Sequence, residues 1–126
     1  MVGDCYDKLP QEACGLFAGP KPMGDDADAT VCYPMTNAAA SSRVYALNPL
    51  EYQRVEMASD DAGTHLVAVY HSHTHTLGYP SPTDVEQALD PNWHYVLVSF
   101  ADEAPSVRSY RIIDGNITEE PVVVLN

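Results

Sequence analysis

A chain of 126 residues with 18 acids against 6 Lys and Arg, a formal charge of −12, excludes a nucleic-acid surface, which needs clustered cations. Its 45% hydrophobic and 19% charged content is that of a globular protein, and the longest apolar runs, residues 66–70 and 122–125, fall far short of the roughly 20 that a membrane helix needs. The length suits a single domain over residues 1–126, with a core large enough to need no staples.

The first residues, Met1 to Cys5, offer no basic stretch followed by an apolar one, so no secretion signal is expected. Cys5, Cys14 and Cys32 are scattered, odd in number and form no Cys-x-x-Cys. They fit free thiols in a reducing cytoplasm, with Cys14 and Cys32 as small apolar fillers. Residues 13–18 read as a short buried strand and residues 30–35 as its antiparallel neighbour, joined by the Pro-, Gly- and Asp-rich loop 19–26. Residues 44–47 read as another short strand. Asn48-Pro49 then opens a helix over residues 50–59, Asn capping and Pro taking the first position, with Leu50, Val55 and Met57 on its apolar side. Gly63 lies shortly beyond it. The Val- and Leu-rich residues 65–70 read as a central strand covered on both faces. A loop and a helix from Ser81 to about Leu89 follow, then strands over 95–100 and 107–113, a turn at Asp114-Gly115-Asn116, and a closing strand through 122–125. Strands interleaved with two helices predict an α/β sandwich around a mixed sheet.

The chemistry concentrates in residues 71–84. Side chains two apart on a strand point the same way, so His71 and His73 present two imidazoles side by side. A turn containing Gly78 and Pro80 can bring the next helix back, where Asp84 offers an oxygen. Two nitrogens and a carboxylate suit Zn²⁺, and three protein ligands leave a fourth position for water, the catalytic pattern. Taken singly, each piece is ordinary: His-x-His is weak, Ser81-Pro82-Thr83-Asp84 is also a good helix start, His75 continues the same face and is an alternative third ligand, and Glu12 alone reads as a solvated acid. His65, Trp93 and His94 read as core or surface residues.

Together the residues resemble the JAMM (MPN+) metallopeptidases, whose pattern is a glutamate near the first strand, His-x-His, seven residues, and Ser-x-x-Asp. Here that is Glu12 in Pro10-Gln11-Glu12-Ala13-Cys14-Gly15, then His71-Ser72-His73, then Ser81-Pro82-Thr83-Asp84. The match extends to Tyr79-Pro80-Ser81, to residues 94–99, to residues 108–112 and to residues 118–122. These segments are similar to the bacterial Mec-type subgroup, which releases cysteine from a ubiquitin-fold sulfur-carrier protein. Thr74 stands where deubiquitinating members usually have Pro, which favours that subgroup. The resemblance implies a cytidine-deaminase-like α/β fold, with a mixed central sheet flanked by helices. It implies one Zn²⁺ held by His71, His73 and Asp84, Glu12 as general base, and Ser81 as donor to the oxyanion, although one hydroxyl hydrogen cannot serve both that oxygen and a helix cap. Members usually carry a helix before the glutamate, and only about ten residues precede Glu12, so a shortened helix or a misplaced start is expected.

The implied substrate is an extended Gly-Gly-type tail of the carrier joined to cysteine, paired with a sheet edge. Residues 30–35 and 43–47 are the candidate edges. Tyr79 and Leu77 are candidates for lining the channel and Arg43 for meeting a carboxylate. A homodimer is one state open to such a protein. The rival readings are an isopeptidase acting on another ubiquitin-like conjugate and a non-catalytic scaffold of the same fold. A zinc deaminase is disfavoured, since it needs His-x-Glu and Cys-x-x-Cys, and this sequence has neither.

Overall fold

The computed structural model describes residues 13–21, 28–35, 49–73, 79–80, 82–87, 93–101 and 106–122. The expected strand at 44–47 lies outside them. Among the described residues six strands run in chain order: β1 (Cys14–Gly19), β2 (Val31–Met35), β3 (His65–His73), β4 (His94–Ser99), β5 (Ser106–Ile113) and β6 (Asn116–Glu120). Two helices among the described residues, α1 (Pro49–Asp61) and α2 (Pro82–Gln87), interrupt them. The strands form one sheet in the order β2-β1-β3-β4-β5-β6. Every pairing is antiparallel except β3 with β4. A parallel pair needs a crossover connection rather than a tight turn, and α2 lies in that crossover, which brings it back over the end of β3.

The expected β1–β2 hairpin is present, with Cys14 opposite Met35 and Ala18 opposite Val31. The turn at the other end of the sheet has two central residues, Asp114 (φ 51°) and Gly115 (φ 79°), between the paired Ile113 and Asn116. Two successive positive φ values make the turn whose twist matches the flanking strands, and Gly takes the second without a Cβ penalty.

The two central strands are buried on both sides, as the runs of Val and Leu predict. On one face Cys14, Leu16, Val69, Tyr95 and Ile112 pack with Met35 and with Val55 of α1. On the other, Ala68, Tyr70, Val96 and Val98 pack together with Phe17. Gly15 sits opposite Tyr70, and a Cβ there would stand 2.4 Å from the tyrosine ring. The missing side chain is what lets that ring lie across β1.

Three expectations need correcting. First, α1 does not bury Leu50 and Met57, which are 68% and 59% exposed. Its inward residues are Val55 and Ser59, with Tyr52 against the core, a 3–4–7 spacing that puts them in one stripe. Second, Asn116, expected in the turn, opens β6, which runs to Glu120 and stops before Pro121, a residue with no N–H to give a ladder; of the expected strand over 122–125, residues 123–125 lie outside the described residues. Third, β3 runs three residues beyond Tyr70, so that both histidines of the motif are strand residues.

Candidate metal centre

The last three residues of β3, His71, Ser72 and His73, alternate across the sheet. Because Val69 and His71 are two apart, the histidines continue the face on which Val69 packs. Val85 of α2 packs against that same cluster, and Asp84 beside it in sequence turns its carboxylate onto the two imidazoles. The neighbouring strands fix the row: Cys14 of β1 and Leu97 of β4 flank His71, and Ser99 flanks His73. The end of β3 is held further by the Phe100 amide, which donates to the His73 carbonyl at 3.0 Å.

His71 Nε2 and His73 Nε2 stand 3.2 Å apart. Asp84 Oδ1 is 3.1 Å from the first and Oδ2 is 3.0 Å from the second. Among the described residues this is the one group of three or more His, Cys, Asp or Glu whose ligand atoms converge within 4.8 Å. Atoms held about 2.0 Å from a common tetrahedral ion are separated by about 3.3 Å, so the three donors already form close to one face of such a tetrahedron. All three residues are at most 9% exposed. Burial pulls the His71 pKa below its ordinary value, against the hydrogen bond and charge of Asp84, which raise it. The net effect favours the neutral imidazole, the form that can ligate. The donor set therefore fits a divalent ion of the zinc type.

Of the other expected site residues, Glu12, Ser81 and Arg43 lie outside the described residues, as do His75 and Leu77. Tyr79 is described: its ring is 56% exposed and meets Tyr110 edge-on, with centroids 5.6 Å apart and an 83° interplanar angle. His94 is buried and shares Glu120 Oε2 with Ser109, at 2.5 Å and 2.6 Å respectively. It belongs to a contact across β4, β5 and β6, three positions along the β3–β4 ladder from His71. Cys14 is buried, its Sγ 3.9 Å from the Met35 carbonyl, and Cys32 is half-buried.

Sequence reasoning passed over Ser72. Its Oγ accepts the Ala13 amide at 2.7 Å, and its own amide donates to the Ala13 carbonyl at 3.0 Å. Strand alternation alone would have turned it away from the histidines, toward the chain entering β1.

The family model described as "Prokaryotic homologs of the JAB domain" matches residues 1–113. A CysO-cysteine peptidase of Mycobacterium tuberculosis is 50% identical over 126 residues, covering 99% of this chain and 84% of that protein. A probable TtuB-protein conjugate cleaving protease of Thermus thermophilus is 30% identical over 119 residues, covering 94% of this chain and 72% of that one. The solution structure of a Desulfitobacterium hafniense protein is similar with a TM-score of 0.85 at 28% identity, covering 98% of this chain and 84% of that chain.

Proposed function

Since the chain belongs to the family of prokaryotic homologs of the JAB domain, we propose that it is a zinc-dependent peptidase that hydrolyses the bond between the C-terminus of a ubiquitin-fold sulfur-carrier protein and cysteine. The observation that carries the reading is the buried triangle of His71, His73 and Asp84 donors, 3.0–3.2 Å on each side. Its substrate side follows the 50% identity to a protein whose name states that chemistry. The ion, when bound, lowers the pKa of water to about 7 and polarises the scissile carbonyl.

The chain's own residues do the rest. His71, His73 and Asp84 hold the ion from a rigid strand end and the helix packed over it. Glu12 takes the proton of the attacking water and delivers it to the departing amine. Ser81 donates to the oxygen that becomes negative at the attacked carbonyl. Tyr79, exposed beside Pro80 and braced by Tyr110, offers an aromatic surface to the substrate tail, and Arg43 a cation for a carboxylate. The tail is an extended Gly-Gly-type segment paired with a sheet edge; β2 is an outer strand of the described sheet. Three scattered cysteines that form no Cys-x-x-Cys go with a reducing, cytoplasmic setting.

A second reading, removal of the carrier from other proteins, is favoured by the 30% identity to a protein named for cleaving such conjugates. One panel decides between them. Carrier–cysteine and carrier–lysine-peptide adducts are incubated with the zinc-loaded protein, with and without chelator, and followed by mass spectrometry. Chelator-sensitive loss of cysteine alone supports the first reading. Cleavage of only the lysine conjugate replaces it with the second.

A further inference from the structure

Ser72 stands between the two histidines in sequence but on the opposite side of the strand, and it is wholly buried, as is Ala13. Two residues facing each other in an antiparallel ladder ordinarily exchange two backbone hydrogen bonds. Ala13 and Ser72 complete only half of that pattern: the Ser72 amide donates to the Ala13 carbonyl, whereas the Ala13 amide donates to the Ser72 hydroxyl at 2.7 Å. The regular strand begins at the next residue, Cys14, opposite His71. The side chain of Ser72 thus takes over the anchoring of the chain at the point where the ladder ends, beside the metal ligands.

The amide so held is the peptide link to Glu12. A peptide unit is planar from one Cα to the next, so a hydroxyl that holds the Ala13 N–H restrains the orientation of that whole unit. We propose that Ser72 is a positioning residue for catalysis: it anchors Ala13, the residue that follows Glu12 in sequence, against the strand end bearing His71 and His73. This rests on the reading of Glu12 as the proton-transfer group. An alanine at 72 leaves a buried N–H without that acceptor, and the peptide must turn to find another. The ligand strand itself stays in place, because β3 is paired on both sides by β1 and β4. The expected defect is therefore in turnover rather than in metal binding, since a displacement of about 1 Å at a reacting group can cost about 10²-fold.

The test uses the full chain and a ubiquitin-fold carrier whose C-terminal Gly-Gly is peptide-bonded to cysteine. Ser72→Ala is expected to bind one equivalent of zinc, to keep KM within about threefold and to lose kcat by about 10–100-fold. Ser72→Thr, which keeps the hydroxyl, is expected to recover most of that loss. On a Glu12→Gln background, Ser72→Ala is expected to change the residual rate by less than about twofold, since residues acting as a unit are non-additive. Wild-type kcat in Ser72→Ala overturns the proposal. So does a loss that tracks zinc content, or a loss that multiplies with that of Glu12→Gln. If Ser72→Ala does not fold, Ser72→Cys, whose thiol is a weak acceptor of similar shape, is read by the same three measures. An active Glu12→Gln sinks the glutamate's role; an inactive Glu12→Gln beside a fully active Ser72→Ala sinks the proposal for Ser72 alone.

Discussion

Gly15 faces Tyr70 across the β1–β3 ladder, and adding one methyl group there should be felt throughout the sheet. A Cβ at Gly15 lies 2.4 Å from Tyr70 Cε1 and Cζ and 2.5 Å from its oxygen. Carbon atoms pack at about 3.5–4.0 Å, so the ring must retreat by about 1 Å. It has little room: Tyr70 is wholly buried, and the Phe17 ring lies 5.2 Å away, centroid to centroid. Overpacking of this kind costs about 1–3 kcal/mol, which at about 4 °C per kcal/mol for a chain of this length lowers Tm by about 4–12 °C. Thermal unfolding of Gly15→Ala, followed by circular dichroism, reads the effect. Tyr70→Leu removes the ring, and on that background Gly15→Ala should cost less than about 0.5 kcal/mol, a non-additivity expected of residues in contact. A Tm for Gly15→Ala within about 1 °C of wild type, or an equal cost in both backgrounds, would refute the close-approach explanation for this glycine.

Three further outcomes follow from the site and its surroundings. Asp84→Ala should lower zinc affinity by about 10²-fold or more, because four ligands share roughly 10–16 kcal/mol in tight sites, about 3 kcal/mol each; competition with a chromogenic chelator measures it. Glu120→Ala should lower stability by about 1–3 kcal/mol, since it strips the shared acceptor from His94 and Ser109, while zinc stoichiometry, measured by plasma emission, stays unchanged. Tyr79→Ala should leave zinc in place and raise KM by about 2–10-fold, the worth of one exposed aromatic contact, as steady-state kinetics on the carrier adduct would show.

Much of the metal triangle was legible because its spacing is local. Two histidines two apart on a strand must share a face, and a Pro-started helix shortly after them can return a carboxylate to that face. The mixed character of the sheet was legible from buried Val-rich strands alternating with helical segments. Other features depend on partners distant in sequence. Nothing local in α1 says that Tyr52, Val55 and Ser59 face inward rather than Leu50 and Met57, because its apolar residues do not form one clean stripe and the choice is made by β1, β2 and β3 beneath it. The end of β6 falls before Pro121, which has no N–H for the ladder, although β5 extends three residues further, to Ser106. Ser72 was missed because its role exists only once β1 lies opposite β3, bringing Ala13 to a residue 59 positions away.

The most direct measurement is a zinc titration of the metal-stripped protein, with cysteine release from the carrier adduct as the readout. The rate should rise linearly and level off at one equivalent of zinc in the wild-type chain, and stay near background in Asp84→Ala at the same additions. Full turnover in the stripped protein, or the same one-equivalent titration in Asp84→Ala, would contradict catalysis by an ion held between His71, His73 and Asp84.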